Sequence, residues 1–187
     1  NIVIFGPPGA GKGTQSKFIV EKFDMFQLST GEFLRKEISK NKIIGKKISS
    51  VINAGGLVSD QIVSDLIEKV ISNNKYQNRI IFDGYPRNLN QAKNLDNLLK
   101  NYTQKIDIVL KLSVSLETIK RRISERRALE KRADDNEDIA IKRYETYEKS
   151  TEPVIEYYKR LKLLKVVDGE RPIDQINKEI RDIISLI

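Results

Sequence analysis

The segment from residue 6 to residue 14 reads Gly6-Pro7-Pro8-Gly9-Ala10-Gly11-Lys12-Gly13-Thr14. It directly follows the apolar run Ile2-Val3-Ile4-Phe5, which has the composition of a buried strand. A glycine-rich turn between a strand and a helix directs backbone N–H groups towards a phosphate, and Lys12 can reach the outer phosphates of a nucleotide. The general pattern places its hydroxyl directly after the lysine, whereas here position 13 is Gly and the hydroxyl comes at Thr14. An ordinary Gly/Pro-rich turn is the alternative, but the combination favours a binder of nucleoside triphosphates.

The composition limits the class of protein. A chain of 187 residues predicts one compact domain. It has no apolar run of about 18 residues, so we expect neither a membrane span nor a signal peptide. It has no cysteine and no histidine, which argues against disulfides, a zinc site of the usual type and histidine base catalysis. The formal net charge is +8, and a solvated lysine-rich surface accounts for most of it.

Short apolar segments alternate with longer helical patterns, which predicts an α/β fold with a five-stranded parallel sheet flanked by helices. The predicted strands are Asn1–Phe5, Phe26–Leu28, Ile80–Phe82, Asp107–Leu112 and Leu164–Val167. Near the carboxyl terminus the pattern predicts two successive helices, Glu137–Lys149 and Thr151–Arg160. The alternation is interrupted at residues 30–59 and 126–135, and insertions at strand ends are where this architecture holds ligands.

Two further segments carry candidate binding residues. Asp83 ends a buried apolar run, so it can organise Mg²⁺ directly or through water, although a plain strand-end Asp is the alternative. Arg87 lies four residues later and suits a phosphate clamp. The segment from residue 28 to residue 35 starts a helix, either with an ordinary cap or as a second nucleotide pocket, with Thr30 near a base and Arg35 on a phosphate.

Arginines cluster in the second half of the chain. Arg122 and Arg126 share one helix face, and Arg132 and Arg143 follow on either side of two aspartates. A solvated charge is the simplest interpretation of any single arginine, but the group favours a lid that closes over phosphates. No residue stands out as a nucleophile or general base, which suits phosphoryl transfer to an ionised phosphate acceptor.

These segments together resemble the adenylate kinase family of nucleoside monophosphate kinases, in its short-lid form, from residue 1 to about residue 185. The matching elements are Gly11–Thr14, Ser29–Arg35, Asp83–Arg87, Arg132–Asp135 and Val167–Gly169. The resemblance implies a P-loop NTPase fold with a core of residues 1–29, 60–125 and 136–187. It also implies a helical insertion at 30–59 that binds the nucleoside monophosphate, and a short lid at 126–135. One departure is Glu125, where the family often has Gly.

The resemblance also implies roles for individual residues. ATP would contact Gly9, Ala10, Gly11, Lys12, Gly13, Thr14, Arg122 and Arg126. AMP would contact Thr30, Arg35, Val58, Gly84, Arg87, Gln91, Arg132 and Arg143. The residues around the transferring phosphoryl group would be Lys12, Arg87, Arg122, Arg126, Arg132 and Arg143. Asp83 would hold Mg²⁺ through water.

The expected activity is reversible Mg²⁺-dependent transfer between ATP and AMP to give two ADP, without zinc. A UMP/CMP kinase and a catalytically idle binder of nucleotides or nucleic acid remain as alternatives. The Gln91 amide favours AMP, since it can pair with both a donor and an acceptor on adenine. We expect a cytoplasmic monomer that binds ATP, AMP and ADP, with no nucleic-acid or membrane partner.

Overall fold

A parallel five-stranded sheet forms the framework of the molecule. The computed structural model describes residues 1–33, 60–130 and 137–187. The strands are β1 Ile2–Phe5, β2 Phe26–Ser29, β3 Ile80–Asp83, β4 Ile108–Ser113 and β5 Leu164–Asp168. The helices are α1 Lys12–Phe23, α2 Asp60–Ile71, α3 Leu89–Asn101, α4 Leu116–Glu130, α5 Glu137–Arg160 and α6 Ile173–Ile184, with a 3₁₀ turn at Asn74–Tyr76. Residues 30–33 are also helical.

The strand order is β2-β3-β1-β4-β5, with every neighbouring pair parallel. The central strands β1 and β3 are buried along their whole length, as their apolar sequences predict. The edge strands are less buried than the sequence suggested. In β5, Val166 is 57% exposed while Val167 is fully buried. The predicted five-stranded α/β sheet is therefore confirmed, with complete burial limited to its middle.

Side chains that alternate along β1 belong to two different cores. Val3 and Phe5 pack in one cluster with apolar residues of α2, α3 and α5. Ile2 and Ile4 pack in the other with residues of α1 and α6. Successive side chains of a strand point to opposite faces, so helices cover both faces of the sheet. No helix in the described ranges combines the length and the apolar character needed to span a bilayer.

The helix boundaries differ from the sequence prediction in three places. The first helix begins at Lys12 rather than near Thr14. Helix α4 continues to Glu130, so residues 126–130 of the expected lid are helical. The two helices expected between residues 137 and 160 form the single helix α5.

Helix α5 is continuous because burial outweighs the local breaking signals. Pro153 lies inside the helix and cannot donate a backbone hydrogen bond. The Ser150 hydroxyl donates to the Thr146 carbonyl at 2.6 Å. The hydroxyl therefore bonds within the same helix and does not cap the start of a new one. Val154 and Tyr158 are fully buried in the core, and this packing stabilises the helix across the proline.

Candidate active site

The loop from residue 6 to residue 11 joins β1 to α1 and lies at the carboxyl edge of the sheet. Gly9 and Gly11 have positive φ angles of 87° and 94°, which favour glycine. A Cβ atom at Gly9 would also lie 3.1 Å from Ile123 Cγ1 on α4, so the loop packs closely on that helix. Helix α1 has no side-chain cap and no acidic residue in its first turn. Its first N–H groups are therefore suited to an anion.

The Lys12 side chain folds back over this loop. Its Nζ donates to the Gly6 carbonyl at 2.7 Å and to the Pro7 carbonyl at 3.2 Å. Burial lowers the pKa of Lys12 to about 8, and the neighbouring charges of Arg87 and other arginines act in the same direction, whereas Asp83 opposes them. A bound triphosphate would add negative charge beside this ammonium group and so favour its protonated form.

Arginines from three elements approach the same place. Arg122 on α4 donates to the Gly169 carbonyl at 2.9 Å and to the Ala10 carbonyl at 3.4 Å, so it joins the phosphate loop to the turn after β5. Arg87 Nε donates to the Gly84 carbonyl at 2.8 Å. Arg126 and Arg143 line the same cavity as Lys12, and their charges help to lower its pKa. All four arginines are half-buried.

One large cavity brings these groups together. Its volume is about 1020 Å³, and it opens at the carboxyl edge of the sheet. The predicted site residues that line it are Gly9, Ala10, Gly11, Lys12, Gly13, Thr14, Thr30, Asp83, Gly84, Arg87, Gln91, Arg122, Arg126 and Arg143. The remaining predicted site residues, Arg35, Val58 and Arg132, lie outside the described ranges.

The turn after β3 forms another part of the cavity wall. The peptide bond between Tyr85 and Pro86 is cis, and Gly84 has a φ angle of 79°. The buried Thr30 hydroxyl donates to the Gly84 carbonyl at 3.0 Å. A Cβ atom at Gly84 would lie 2.8 Å from the Thr30 oxygen, so only glycine fits here without rearrangement.

Gln91, on the first turn of α3, is 4% exposed and has its amide engaged at both ends. Its Oε1 accepts from the Arg87 backbone N–H at 2.7 Å, and its Nε2 donates to Asp60 Oδ1 at 2.6 Å. Asp60 does not line the cavity and was not predicted to belong to the site. An aspartate at the start of a helix has an ordinary explanation in the helix dipole, so nothing in the sequence signalled this contact.

Comparison with known proteins identifies the family. The family model for adenylate kinase matches residues 4–163. The chain is 42% identical to the adenylate kinase of Pelagibacter ubique, with all of both chains covered. It is 41% identical to that of Prochlorococcus marinus, over 97% of this chain and 96% of the relative. It is 40% identical to that of Bartonella henselae, over 98% of each.

The chain belongs to the adenylate kinase family.

Membership in the adenylate kinase family confirms the predicted class of fold, a P-loop NTPase, and the predicted class of enzyme, a phosphotransferase. It does not favour the UMP/CMP kinase or the idle binder. Glu125, which departs from the family's common Gly, is exposed and lines the cavity beside Arg126. Its side chain therefore forms part of the cavity wall.

The described residues of this adenylate kinase-like site fit a magnesium ion that arrives with a nucleotide. Asp83 is the last residue of β3 and pairs in register with Ile4 of β1, which places it beside the phosphate loop. Its Oδ2 accepts from Gln27 Nε2 at 3.0 Å. Within the described ranges no three acidic, cysteine or histidine side chains cluster as metal ligands. A single carboxylate suits Mg²⁺, which keeps water and phosphate oxygens as its other ligands.

A wall of the cavity on α5 was not predicted. Thr146, Tyr147, Ser150 and Thr151 line it from one face of that helix. The Tyr147 hydroxyl is buried and has no hydrogen-bond partner among the described residues. Burial raises the pKa of this hydroxyl, so it stays protonated and can donate. The i, i+1, i+4, i+5 spacing marks a helix face in the sequence, but it does not indicate which face meets a ligand.

Proposed function

We propose that the protein catalyses the reversible, Mg²⁺-dependent transfer of the γ-phosphoryl group from ATP to AMP, giving two ADP. The bond from the γ-phosphorus to the bridging oxygen of ATP breaks, and a new bond forms to a phosphate oxygen of AMP. The observation that carries the proposal is the single cavity in which the phosphate loop, Lys12 and several arginines converge.

The proposal assigns the two nucleotides to opposite sides of this cavity. The triphosphate of ATP lies on residues 9–14, with Arg122 and Arg126 on the outer phosphates. The phosphate of AMP lies on Arg87, and its base lies near Thr30, Gly84 and Gln91. Support comes from the loop geometry on one side and from the tight Thr30–Gly84 contact on the other.

The proposed transfer requires the protein mainly to position the two nucleotides and to supply positive charge. The acceptor is a phosphate oxygen that is already ionised near neutral pH, so no base has to remove a proton. Lys12, Arg87, Arg122, Arg126 and Arg143 would neutralise the charge on the equatorial oxygens of the transferring group. Asp83 would hold, through water, the magnesium ion that arrives with the nucleotide, and the ion would supply further positive charge at the phosphates.

We further propose that Arg35, Val58 and Arg132 complete the site, as the family resemblance implies. In this proposal residues 30–59 bind AMP and residues 126–135 close over the phosphates, while the rest forms the core. We also propose that the enzyme works as a cytoplasmic monomer on free nucleotides, without zinc.

A purified-protein assay tests the activity. Mg·ATP is mixed in turn with AMP, UMP, CMP, GMP or no acceptor, and the nucleotides are separated and quantified. We expect rapid ADP formation with AMP, with two ADP formed for each AMP consumed, and its loss when a chelator removes Mg²⁺. A preference for UMP or CMP would overturn the assignment of the base. ATP binding without turnover would overturn the kinase assignment.

A further inference from the structure

The side-chain amide of Gln91 is held in one orientation by two partners of fixed polarity. The Arg87 backbone N–H can only donate, and the Asp60 carboxylate can only accept. The amide oxygen faces the first at 2.7 Å, and the amide nitrogen faces the second at 2.6 Å. A flipped amide would place its NH₂ group against an N–H donor and its oxygen against a carboxylate. The two partners therefore both oppose the flip.

Burial strengthens this preference. Gln91 is 4% exposed, so water cannot readily replace the partners that a flipped amide would lose. The backbone is fixed as well, because the Gln91 N–H donates to Asn88 Oδ1 at 2.8 Å. Asn88 Nδ2 in turn lies 3.4 Å from both oxygens of Asp60. The first turns of α2 and α3 are thus joined around this one side chain.

The orientation decides which purine the free part of the amide can pair with. A primary amide has two lone pairs and two hydrogens, and the protein uses one of each. The remaining N–H and lone pair match adenine, which offers an acceptor at N1 and a donor at its amino group. A 6-oxopurine reverses this order, with a donor at N1 and an acceptor at O6. It would therefore need the flipped amide.

We propose that Asp60 is a positioning residue that fixes the Gln91 amide for a 6-aminopurine and so excludes 6-oxopurine monophosphates such as IMP and GMP. This inference rests on the proposed function, which places the base of AMP at Gln91. Asp60 does not line the cavity, so it acts through Gln91 and not by contact with the base.

The substitution Asp60→Asn tests the proposal, because it keeps the shape but offers an amide that can either accept or donate. The readout is the ratio of kcat/KM for AMP to kcat/KM for IMP. We expect the ratio to fall about fivefold to tenfold, as when one hydrogen bond no longer favours one orientation. The KM for Mg·ATP should not change. Asp60→Ala, which removes the acceptor altogether, should lower the ratio in the same direction.

Asp65→Asn is the matched control. Asp65 lies on the same helix and accepts from the Gln61 amide at 2.7 Å, so the substitution makes the same change of charge at a similar bond away from the cavity. Its ratio should equal that of the parent enzyme. A ratio that stays within threefold of the parent in both Asp60 variants overturns the proposal.

A third variant separates this inference from the proposed function. If the parent enzyme prefers AMP and Gln91→Ala relaxes that preference, the base lies at Gln91. An unchanged ratio of kcat/KM values in the Asp60 variants would then refute the orientation argument alone. If Gln91→Ala leaves the preference intact, the assignment of the base to Gln91 is itself wrong, and the inference falls with it.

Discussion

The ionisation of Lys12 offers the most direct test of the phosphate loop. In the unliganded protein its ammonium group is buried against the Gly6 and Pro7 carbonyls, and burial is the main cause of a pKa of about 8 instead of 10.5. Deprotonation removes the charge that should bind the outer phosphates of ATP. Once ATP is bound, its negative charge favours the protonated form and raises the pKa again.

The size of the effect follows from the pKa. With a value near 8, about a tenth of the free enzyme keeps its charged lysine at pH 9, and about a hundredth at pH 10. Because kcat/KM reports the free enzyme, its value for Mg·ATP should lie about tenfold below the plateau at pH 9. In contrast, kcat reports the enzyme–substrate complex, so it should stay level over the same range.

For kcat/KM the assay varies Mg·ATP with AMP held well below its KM, and for kcat both substrates are saturating, at constant ionic strength between about pH 6.5 and 10. Nucleotide phosphates lose their last proton near pH 6, so the substrates contribute nothing to an alkaline decline. Lys12→Arg keeps a permanent charge and should remove the decline, even if it lowers the rate. A flat kcat/KM through pH 10 would refute the reasoning, and so would an equal decline in the arginine variant.

Three further substitutions test other parts of the site and its support. Arg87→Ala should lower kcat/KM for AMP by about 10³, the loss typical of an arginine that stabilises a transferring phosphoryl group, as steady-state kinetics would measure. Gly84→Ala adds a Cβ atom 2.8 Å from the Thr30 hydroxyl at a φ angle of 79°; strain of about 1–2 kcal/mol should lower the melting temperature by about 2–8 °C in calorimetry. Glu170→Gln should lower the unfolding free energy by about 1 kcal/mol in urea at pH 7, because the carboxylate accepts from the Ser115 N–H and the Thr118 hydroxyl at the start of α4.

The substitutions at Arg87 and Glu170 each have a check of their own. Arg79→Ala removes an arginine that pairs with Asp24 at the surface, and it should leave kcat/KM unchanged. A loss of less than tenfold at Arg87 would remove that residue from the phosphate site. The hydrogen bonds lower the pKa of Glu170 from 4.5 to about 2. Its contribution to the free energy of unfolding should therefore be complete above pH 4.5 and should disappear as the pH falls towards 2. A difference between parent and Glu170→Gln that does not shrink between pH 7 and pH 3.5 would contradict this assignment.

Sequence patterns predicted the parts of the site that are continuous in the chain. The phosphate loop is defined by glycines and a lysine after an apolar strand, and each of these signals is local. The loop and Asp83 are far apart in sequence, but the loop follows one buried strand and Asp83 ends another, and parallel strands end at one edge of a sheet. The register of Ile4 with Asp83 shows this adjacency in the structure.

Other features depend on packing between distant residues, which a single sequence does not record. The Gln91 amide was predicted to face a base, but its contact with Asp60 joins the starts of two helices. The face of α5 that carries Tyr147 could not be assigned to the cavity from its spacing alone. The helix break expected at Ser150 was wrong because core burial, a tertiary effect, outweighs the local sequence signals.

The central position of β1 has a consequence for how the chain folds during synthesis. Ile2 pairs with Ile81 on one side and with Ile108 on the other, so neither partner is local. A ribosome that adds about 5–20 residues per second needs roughly 4–16 s to make the roughly 80 residues that separate Ile2 from its first partner. Until β4 ends at Ser113, a nascent chain lacks one of the two strands that flank β1. Strand β1 is therefore translated well before it gains both of its neighbours, and the glycine-rich loop that follows it reaches its final setting only after the middle of the chain has been made.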